Sequence, residues 1–321
     1  MDHRNITPTV EGGLLATGAV VLGAMAVYLP VLGIIAALLW AVPIAVLTVR
    51  QGLGKGIMAS VVAGILMALL IEPVISLRLV LSSAPVGLML GFCVRRGWSG
   101  SVVFPATFAV SLLSKILMVL LLLWVMKVNM LDMQVSILKE SFDQSFAMYE
   151  TMGVDQQSID EARANVEPAL ELVGLLMPLV LAIMGVLDTA ACYFMTGRVL
   201  GRLGMKAPQL PPFASWRFPS FFLYLLGFAF VGMYWGSTRE IPLLYQAALN
   251  ANVAAMAVGL VQGLSLFWYL AEHFRISKIF RWVLFVLMMM NIVLLQIVAF
   301  SGLFDMLFDY RRRLEQRSKG L

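Results

Sequence analysis

The stretch EGGLLATGAVVLGAMA, residues 11–26, carries small residues at steps of four, three, four and three within an apolar run. They are Gly12, Ala16, Ala19, Gly23 and Ala26. Because residues three and four apart share one face of an α-helix, the pattern predicts a helix with one face nearly free of side-chain bulk. In lipid, helices associate through close backbone packing over such faces. The stretch therefore predicts a packing face on a membrane helix, against either another helix of this chain or another protein.

Apolar runs of this kind recur along the chain. Hydrophobic residues make up 61% of its 321 residues and charged residues 13%, a composition typical of proteins with many membrane spans. We expect an all-α fold, a polytopic transmembrane helix bundle of about nine membrane segments with the lipid bilayer as its first partner. The segments are residues 10–29, 31–49, 55–77, 79–94, 101–127, 168–197, 219–235, 243–271 and 280–303. The second and fourth are short for a span of ~20 residues.

Several function classes are disfavoured by what the chain contains. Its two histidines, His3 and His273, are too few for a zinc cluster or a Ser/His/Asp triad. No phosphate-binding glycine loop is present, and Cys93 and Cys192 fall within apolar segments, where a thiol behaves as a small hydrophobe. The net charge of +5 comes from basic residues placed between apolar runs, which is not a nucleic-acid pattern. We expect no enzyme, no metal, no cofactor and no nucleic-acid partner.

The distribution of basic residues predicts orientation, because cytoplasmic loops are enriched in Lys and Arg. It favours a multi-pass protein of the inner membrane with a cytoplasmic N-terminus. The residues that would then be cytoplasmic are Arg4, Arg50, Lys55, Arg95, Arg96, Arg198, Arg202, Lys206, Arg217, Arg275, Lys278 and Arg281, against Arg78, Lys127, Lys139, Arg163 and Arg239 outside. Nine crossings place the basic tail, residues 309–319, outside, against this rule, so the side of the tail is left open.

Two stretches lie outside the membrane pattern. Residues 131–171 hold nine of the eighteen acidic residues and have helical apolar spacing that ends at Gly153. A capping box formed by Ser158 and Glu161 predicts a second helix, kinked at Pro168. We therefore expect an extracytoplasmic amphipathic hairpin over 131–167. Residues 207–220 contain four prolines and predict a cytoplasmic linker before a three-helix C-terminal membrane region, 221–321, with a basic tail.

Charged residues within apolar segments are the strongest candidates for a site, because each costs at least ~2.5–3.5 kcal/mol at mid-membrane on insertion scales. Lys115 and Asp188 lie on segments expected to be adjacent and antiparallel, at depths that differ by ~6 Å, so they are predicted to pair. Ser111 adds polarity beside them. The pair either lines a substrate cavity or only neutralises two helices. Glu72, at an outer helix end, either lines an external site or is a solvated terminus.

Four features together resemble the YybS-like family of bacterial integral membrane proteins over nearly the whole chain. They are VEGGLLATGAVVLGAMAVYLPVLGIIAALLWAVPIAVLTVRQGLGKGI at the start, the acidic hairpin, GRLGMKAPQLPPFASWRFP at the linker and GLFDMLFDYRRR near the end. Residues 1–206 more distantly resemble the substrate-binding S components of energy-coupling-factor transporters. That resemblance implies a six-helix domain whose small-residue stripe docks on a transmembrane coupling subunit with two ATPases. The chain differs from S components by three added helices and a long hairpin.

These expectations combine into one leading hypothesis and one alternative. The leading hypothesis is a small-molecule binding or transport subunit of unknown substrate. Its substrate would contact Lys115, Asp188, Ser111 and Glu72, and its partner would dock on Gly12, Ala16, Ala19, Gly23 and Ala26. The alternative is a scaffold or regulatory membrane protein, with a homo-oligomer as one form, that acts through protein–protein contacts in the cell envelope.

Overall fold

The computed structural model describes residues 8–29, 31–126 and 130–319, so Arg4 and Lys127 lie outside the described part of the chain. Throughout that part the secondary structure is helical and no strand is present, which confirms the all-α class. The helices are α1 Pro8–Tyr28, α2 Leu32–Leu39, α3 Ala41–Gln51, α4 Leu53–Leu70, α5 Pro73–Arg95, α6 Gly100–Met126, α7 Met130–Thr151, α8 Gln156–Leu175, α9 Met177–Arg202, α10 Phe221–Thr238, α11 Pro242–His273, α12 Lys278–Met290, α13 Ile292–Phe308 and α14 Tyr310–Lys319.

The number of membrane segments agrees with the sequence. Among the described residues, eight helices, with α2 and α3 counted as one, are long and apolar enough to cross a membrane. The ninth segment, expected as one helix over 280–303, is instead the pair α12 and α13, which bends by 108°. Asn291 lies at the bend with an extended backbone, and its Oδ1 accepts hydrogen bonds from the N–H groups of Val293 and Leu294. The sequence did not predict this break, because a hydropathy profile averages over the apolar run and does not detect a single helix-capping residue such as Asn291.

The two segments that appeared short are full-length. The second is interrupted at Trp40, between α2 and α3, and Pro43 lies in the first turn of α3, where a proline is tolerated. The fourth begins at Pro73, the first residue of α5, and runs for 23 residues. Proline is favoured at this position because its missing N–H has no partner in the first turn.

Clustering of contacts divides the chain into two compact units. Unit 1 comprises the described residues of Met1–Glu140 and Val180–Leu210, and unit 2 comprises Ser141–Leu179 and Pro211–Leu321. The core of unit 1 includes Trp40, Ile44, Leu47 and Met67, all at most 1% exposed. The division into an S-component-like domain over 1–206 and a C-terminal region stays a prediction.

Unit 2 is organised around the crossing of α11 and α13. Gly302 faces the carbonyl of Gly259 and the backbone of Gly263, and a Cβ at Gly302 would collide with both. The small-xxx-small spacing of Gly259 and Gly263 allows two membrane helices to pack backbone to backbone. Leu303 is fully buried beside Ala255, so apolar packing continues on either side of the crossing.

The acidic hairpin is present as α7 and α8, and Gly153 at φ +81° lies in the turn after α7, as expected. The predicted capping box is wrong. Asp155 caps α8, because its Oδ2 accepts the Ser158 N–H at 2.9 Å while Oδ1 accepts the Ser158 hydroxyl at 2.9 Å. These bonds stabilise the ionised carboxylate and hold its pKa below the usual value. Helix α8 also continues through Pro168 and ends at Leu175.

Candidate functional site

The predicted ion pair between Lys115 and Asp188 is present in unit 1. Lys115 Nζ contacts Asp188 Oδ2 and donates to Ser111 Oγ at 3.1 Å. A helical side chain leans toward the N-terminus of its helix, so the ammonium lies one turn before its own Cα, level with Ser111. Three of the predicted site residues, Lys115, Asp188 and Ser111, are therefore in contact.

The packing of α6 against α9 explains why these residues meet. The rings of Phe104 and Tyr193 lie 5.8 Å apart, while Gly185 packs beside Ser111, so the two helices run antiparallel. Helix α9 extends to Arg202 rather than residue 197, which places Asp188 nearly level with Lys115 when both are counted from that side. The expected ~6 Å difference in depth came from ending the helix too early.

The pair is closed on most sides. The side chain of Lys115 is 6% exposed and that of Asp188 17%. Ser114 donates to the Ser82 carbonyl of α5 at 3.1 Å, so polar contacts continue to a third helix. Beside Asp188, the hydroxyl of Thr189 is buried and has no hydrogen-bond partner among the described residues. A largely buried pair of this kind contributes mainly by neutralising two charges.

Glu72 does not join this cluster. It is the exposed N-cap residue of α5, and its side chain makes no capping hydrogen bond. Ser82, the α5 residue that contacts Ser114, lies about ten residues further along the helix, or ~15 Å. The geometry corresponds to the solvated helix end, one of the two interpretations of Glu72.

A cavity of about 500 Å³ lies beside the cluster, between α5 and α6. We call it the α5–α6 groove. It is lined by Leu81, Pro85, Ser114, Leu117, Met118, Leu120, Leu121 and Trp124. Its volume is within the range of small-molecule sites, ~300–1,000 Å³. Ser114, the residue before Lys115, is the only polar side chain in this lining.

The dimensions of the groove match one leaflet of a bilayer. From Ser114 to Trp124 the lining covers about ten residues of α6, or ~15 Å of helix. That is half of the ~30 Å hydrocarbon core. Trp124 is 82% exposed at one end, where an aromatic side chain suits the membrane–water interface. The groove thus runs from the level of the buried charges toward one surface.

Pro85 adds polarity to this otherwise apolar lining. Proline has no N–H, so the carbonyl of Leu81, four residues earlier and also in the lining, receives no helical hydrogen bond from it. The Ser114 hydroxyl lies on the facing helix. A carbonyl that lacks this bond and a hydroxyl oxygen can orient a polar group on a mainly apolar molecule.

The small-residue stripe of α1 lies in internal packing, one of the two alternatives from the sequence. Ala16 and Ala19 are 5% and 0% exposed and belong to a core cluster with residues of α3 and α4. A Cβ at Gly23 would meet Met67 of α4 at 2.5 Å. Gly12 faces Leu47, and the Ala26 carbonyl packs against Gly33 of α2. The middle of the stripe is therefore covered by α3 and α4, while its ends, Gly12 and Ala26, are half-buried.

A second buried polar cluster, in unit 2, was missed by the sequence analysis. Arg311 is 1% exposed, and its guanidinium donates to the Ala214 carbonyl at 2.5 Å and to Ser265 Oγ at 3.1 Å. Its Nε lies 3.4 Å from Asp305 Oδ2, which also accepts from Gln262 at 2.6 Å. Burial lowers the pKa of this guanidinium from its usual value. We call Arg311, Asp305, Gln262 and Ser265 the arginine latch.

The arginine latch joins three helices of unit 2 to the linker. Gln262 and Ser265 lie on α11, Asp305 on α13 and Arg311 on α14, while Ala214 belongs to the linker. Gln262 Oε1 also accepts the Phe218 N–H of the linker at 3.0 Å. Arg311 and Asp305 are six residues apart, but their partners on α11 and in the linker are 43 to 97 residues away, so local spacing does not reveal the cluster. The only sequence signal is that Gln262 lies inside an apolar segment, where a polar side chain needs a partner.

Comparison with known proteins places the chain in a family. The model of the family described as "Predicted membrane protein (DUF2232)" matches residues 19–306. The chain is similar to the protein named "Uncharacterized protein YybS" from Bacillus subtilis (strain 168), with 22% identity over 310 residues, covering 95% of this chain and 98% of that relative. No solved structure matches. The resemblance to S components stays a prediction. The chain belongs to the DUF2232 family of predicted membrane proteins.

Proposed function

We propose that the protein binds a small amphipathic compound within the membrane, and that the apolar chain of this compound occupies the α5–α6 groove. One observation carries the proposal: a cavity of about 500 Å³ with an apolar lining runs from Ser114, the neighbour of the buried Lys115, to the exposed Trp124. An acyl or isoprenoid chain of one leaflet's length suits that lining. A compound fully soluble in water does not.

The polar end of the ligand is the part that distinguishes binding from ordinary lipid contact. The carbonyl of Leu81 and the hydroxyl oxygen of Ser114 lie at the inner end of the groove, and both are acceptors because the Ser114 hydroxyl already donates within the protein. They suit a polar end that donates, such as a hydroxyl or a protonated carboxyl group. The ion pair behind Ser114 fixes α6 against α9 and so holds this end in place. Lys115 and Asp188 therefore position the groove, and the ligand need not break their contact.

Photochemical labelling tests the proposal. The full chain in phosphatidylcholine nanodiscs is irradiated with a palmitate analogue that carries a diazirine on its chain, and labelled peptides are identified by mass spectrometry. We expect saturable labelling of residues 81–85 and 117–124, displaced by unlabelled palmitate. Leu117→Trp fills the groove and is expected to weaken binding about tenfold, equal to ~1.4 kcal/mol.

Leu113→Trp is the matched control. Leu113 and Leu117 are one turn apart on α6 and both 56% exposed, but only Leu117 lines the groove. Labelling that does not saturate, or that falls equally in both variants, contradicts a specific groove and indicates surrounding lipid alone.

A scaffold role is a second candidate, and one observation favours it. The hairpin exposes apolar side chains next to its acidic residues, including Met148 at 56% and Met152 at 69%. Such side chains adapt to varied protein surfaces. Deletion of residues 131–167 separates the two functions. If the hairpin is a scaffold, the deletion variant no longer cross-links to envelope proteins, while palmitate still labels the groove. If the hairpin has no partners, the cross-linking pattern of the deletion variant is the same as that of the unmodified chain.

A further inference from the structure

Both ends of the α12–α13 pair contact the same end of α11. At the start of the pair, the rings of Trp282 and Trp268 lie 5.4 Å apart and Arg281 pairs with Glu272 at 3.3 Å. Just beyond its end, Arg311 binds Ser265, and Tyr269 donates to Glu315 at 3.1 Å. All the α11 residues in these contacts lie within its last three turns. A helix pair that crossed the membrane would have its ends at opposite ends of α11.

The other end of α11 carries different contacts. Gln246 and Asn250 both donate to the Leu175 carbonyl, at 3.2 and 2.7 Å, and so join the base of the acidic hairpin to the first turns of α11. The short loop from α10 reaches α11 there as well, since Gly236 packs against Tyr245. Helix α11 has 32 residues, or ~48 Å, which exceeds the ~30 Å hydrocarbon core. Its two ends therefore lie on opposite faces of a bilayer.

We propose that α12 and α13 form a re-entrant pair that enters and leaves the membrane on the face that carries the linker. The C-terminal tail then lies on the linker's side, opposite the base of the acidic hairpin. The direct contact of the tail with the linker supports this arrangement, because Arg217 pairs with Asp309 at 2.8 Å and Arg311 donates to the Ala214 carbonyl. Linker and tail cannot make these contacts from opposite sides.

Some of the backbone N–H groups at the bend between α12 and α13 have hydrogen-bond partners within the protein. Non-helical backbone at membrane depth is tolerated only where its polar groups find partners inside the protein. Asn291 supplies one such partner, since its Oδ1 accepts from the N–H groups of Val293 and Leu294 in the first turn of α13. The close crossing at Gly302 then holds α13 against α11 as it returns. The start of α13 therefore has partners for its N–H groups within the protein.

The re-entrant path also brings the basic C-terminal tail into agreement with the positive-inside rule. A tail on the linker's face places Arg312 and Arg313 together with Arg217, Arg275 and Lys278, all of which are exposed. Basic residues then concentrate on one side of unit 2, as the positive-inside rule requires. Nine full crossings would leave the tail on the opposite side.

Cysteine accessibility in sealed vesicles tests the inference. Three single variants of the full chain, Ser215→Cys in the linker, Gln316→Cys in the tail and Arg239→Cys between α10 and α11, replace exposed residues. Each is treated with a membrane-impermeant maleimide in right-side-out and in inverted vesicles. The native Cys93 and Cys192 are fully buried, so the unmodified chain gives the background.

We expect Gln316→Cys and Ser215→Cys to label in the same vesicle orientation and Arg239→Cys in the other. Labelling of Gln316→Cys together with Arg239→Cys overturns the proposal and makes α12–α13 a full span. Because the changed residues are exposed, loss of folding is not expected, and detergent-solubilised samples in which all three variants label confirm that each thiol is reachable.

Discussion

Removing the positive partner of the buried pair is expected to destabilise unit 1 strongly. In Lys115→Met, Asp188 keeps a buried carboxylate without its cation and Ser111 Oγ loses its donor. An unpaired charge at mid-membrane costs at least ~2.5–3.5 kcal/mol, and breaking a buried pair costs ~3–5 kcal/mol. Both ranges contain about 3 kcal/mol, a more than 100-fold change in the folding equilibrium constant.

The double variant Lys115→Met with Asp188→Leu separates the two interpretations of the pair. Replacing both partners with apolar side chains of similar volume is often neutral or stabilising, so this variant is expected to recover most of the lost stability. Equilibrium unfolding in detergent micelles measures all four corners of the double-mutant cycle. Leu113→Met, at a lipid-exposed position of the same helix, is the control.

Two results would show that the ion pair does not stabilise unit 1. A Lys115→Met variant as stable as the unmodified chain means that Asp188 has no need of its cation. Additive losses in the double variant mean that the two residues are not coupled. Palmitate labelling of the stable double variant tests the role of the pair in binding. Labelling that persists shows that Lys115 and Asp188 only position the groove, and labelling that is lost shows that the ligand needs their charges.

Three further perturbations concern other parts of the chain. Gly302→Ala is expected to destabilise unit 2 because a Cβ meets the backbone of α11, whereas Gly227→Ala, in open space, is nearly neutral; thermal unfolding distinguishes them. Arg311→Leu leaves Asp305 buried and uncompensated, so trypsin should reach the tail faster than in the exposed-site control Arg312→Leu. The pKa of Asp155 is lower in the folded protein than in the unfolded chain, where it is about 4. The cap therefore stabilises α8 fully above pH ~4, and this stabilisation is lost as the pH falls through the lower, folded-state pKa. Hydrogen exchange of the first turn of α8, corrected for the intrinsic rate, should show this loss in the unmodified chain and not in Asp155→Ala.

The helices could be predicted largely because their signals are local. Apolar runs of membrane length, Gly153 after α7 and four prolines in the linker each act through their own backbone or nearest neighbours. The Lys115–Asp188 pair was also predictable, since isolated charges in apolar segments need partners and their depths could be compared. The N-cap of α8 was predicted wrongly, because Asp155 and Ser158 are both residues that cap helices and they lie only three positions apart.

The remaining features depend on contacts that the sequence separates widely. Arg311 appears in a run of basic residues typical of a solvated tail, yet it is buried against a carbonyl 97 residues away. The bend at Asn291 interrupts a continuous apolar run, so composition gives one segment where the chain has two helices. The α5–α6 groove arises from how two helices pack around Pro85, and no spacing of Leu, Met and Ser distinguishes a groove from a filled interface.

The decisive experiment is a cryo-electron microscopy map of the protein in nanodiscs made from its native membrane lipids. We expect an elongated density in the α5–α6 groove, running from Ser114 toward Trp124, with its polar end near the Leu81 carbonyl. A map in which side chains of α5 and α6 close the groove, or in which density there equals that along the rest of the lipid-facing surface, would contradict it.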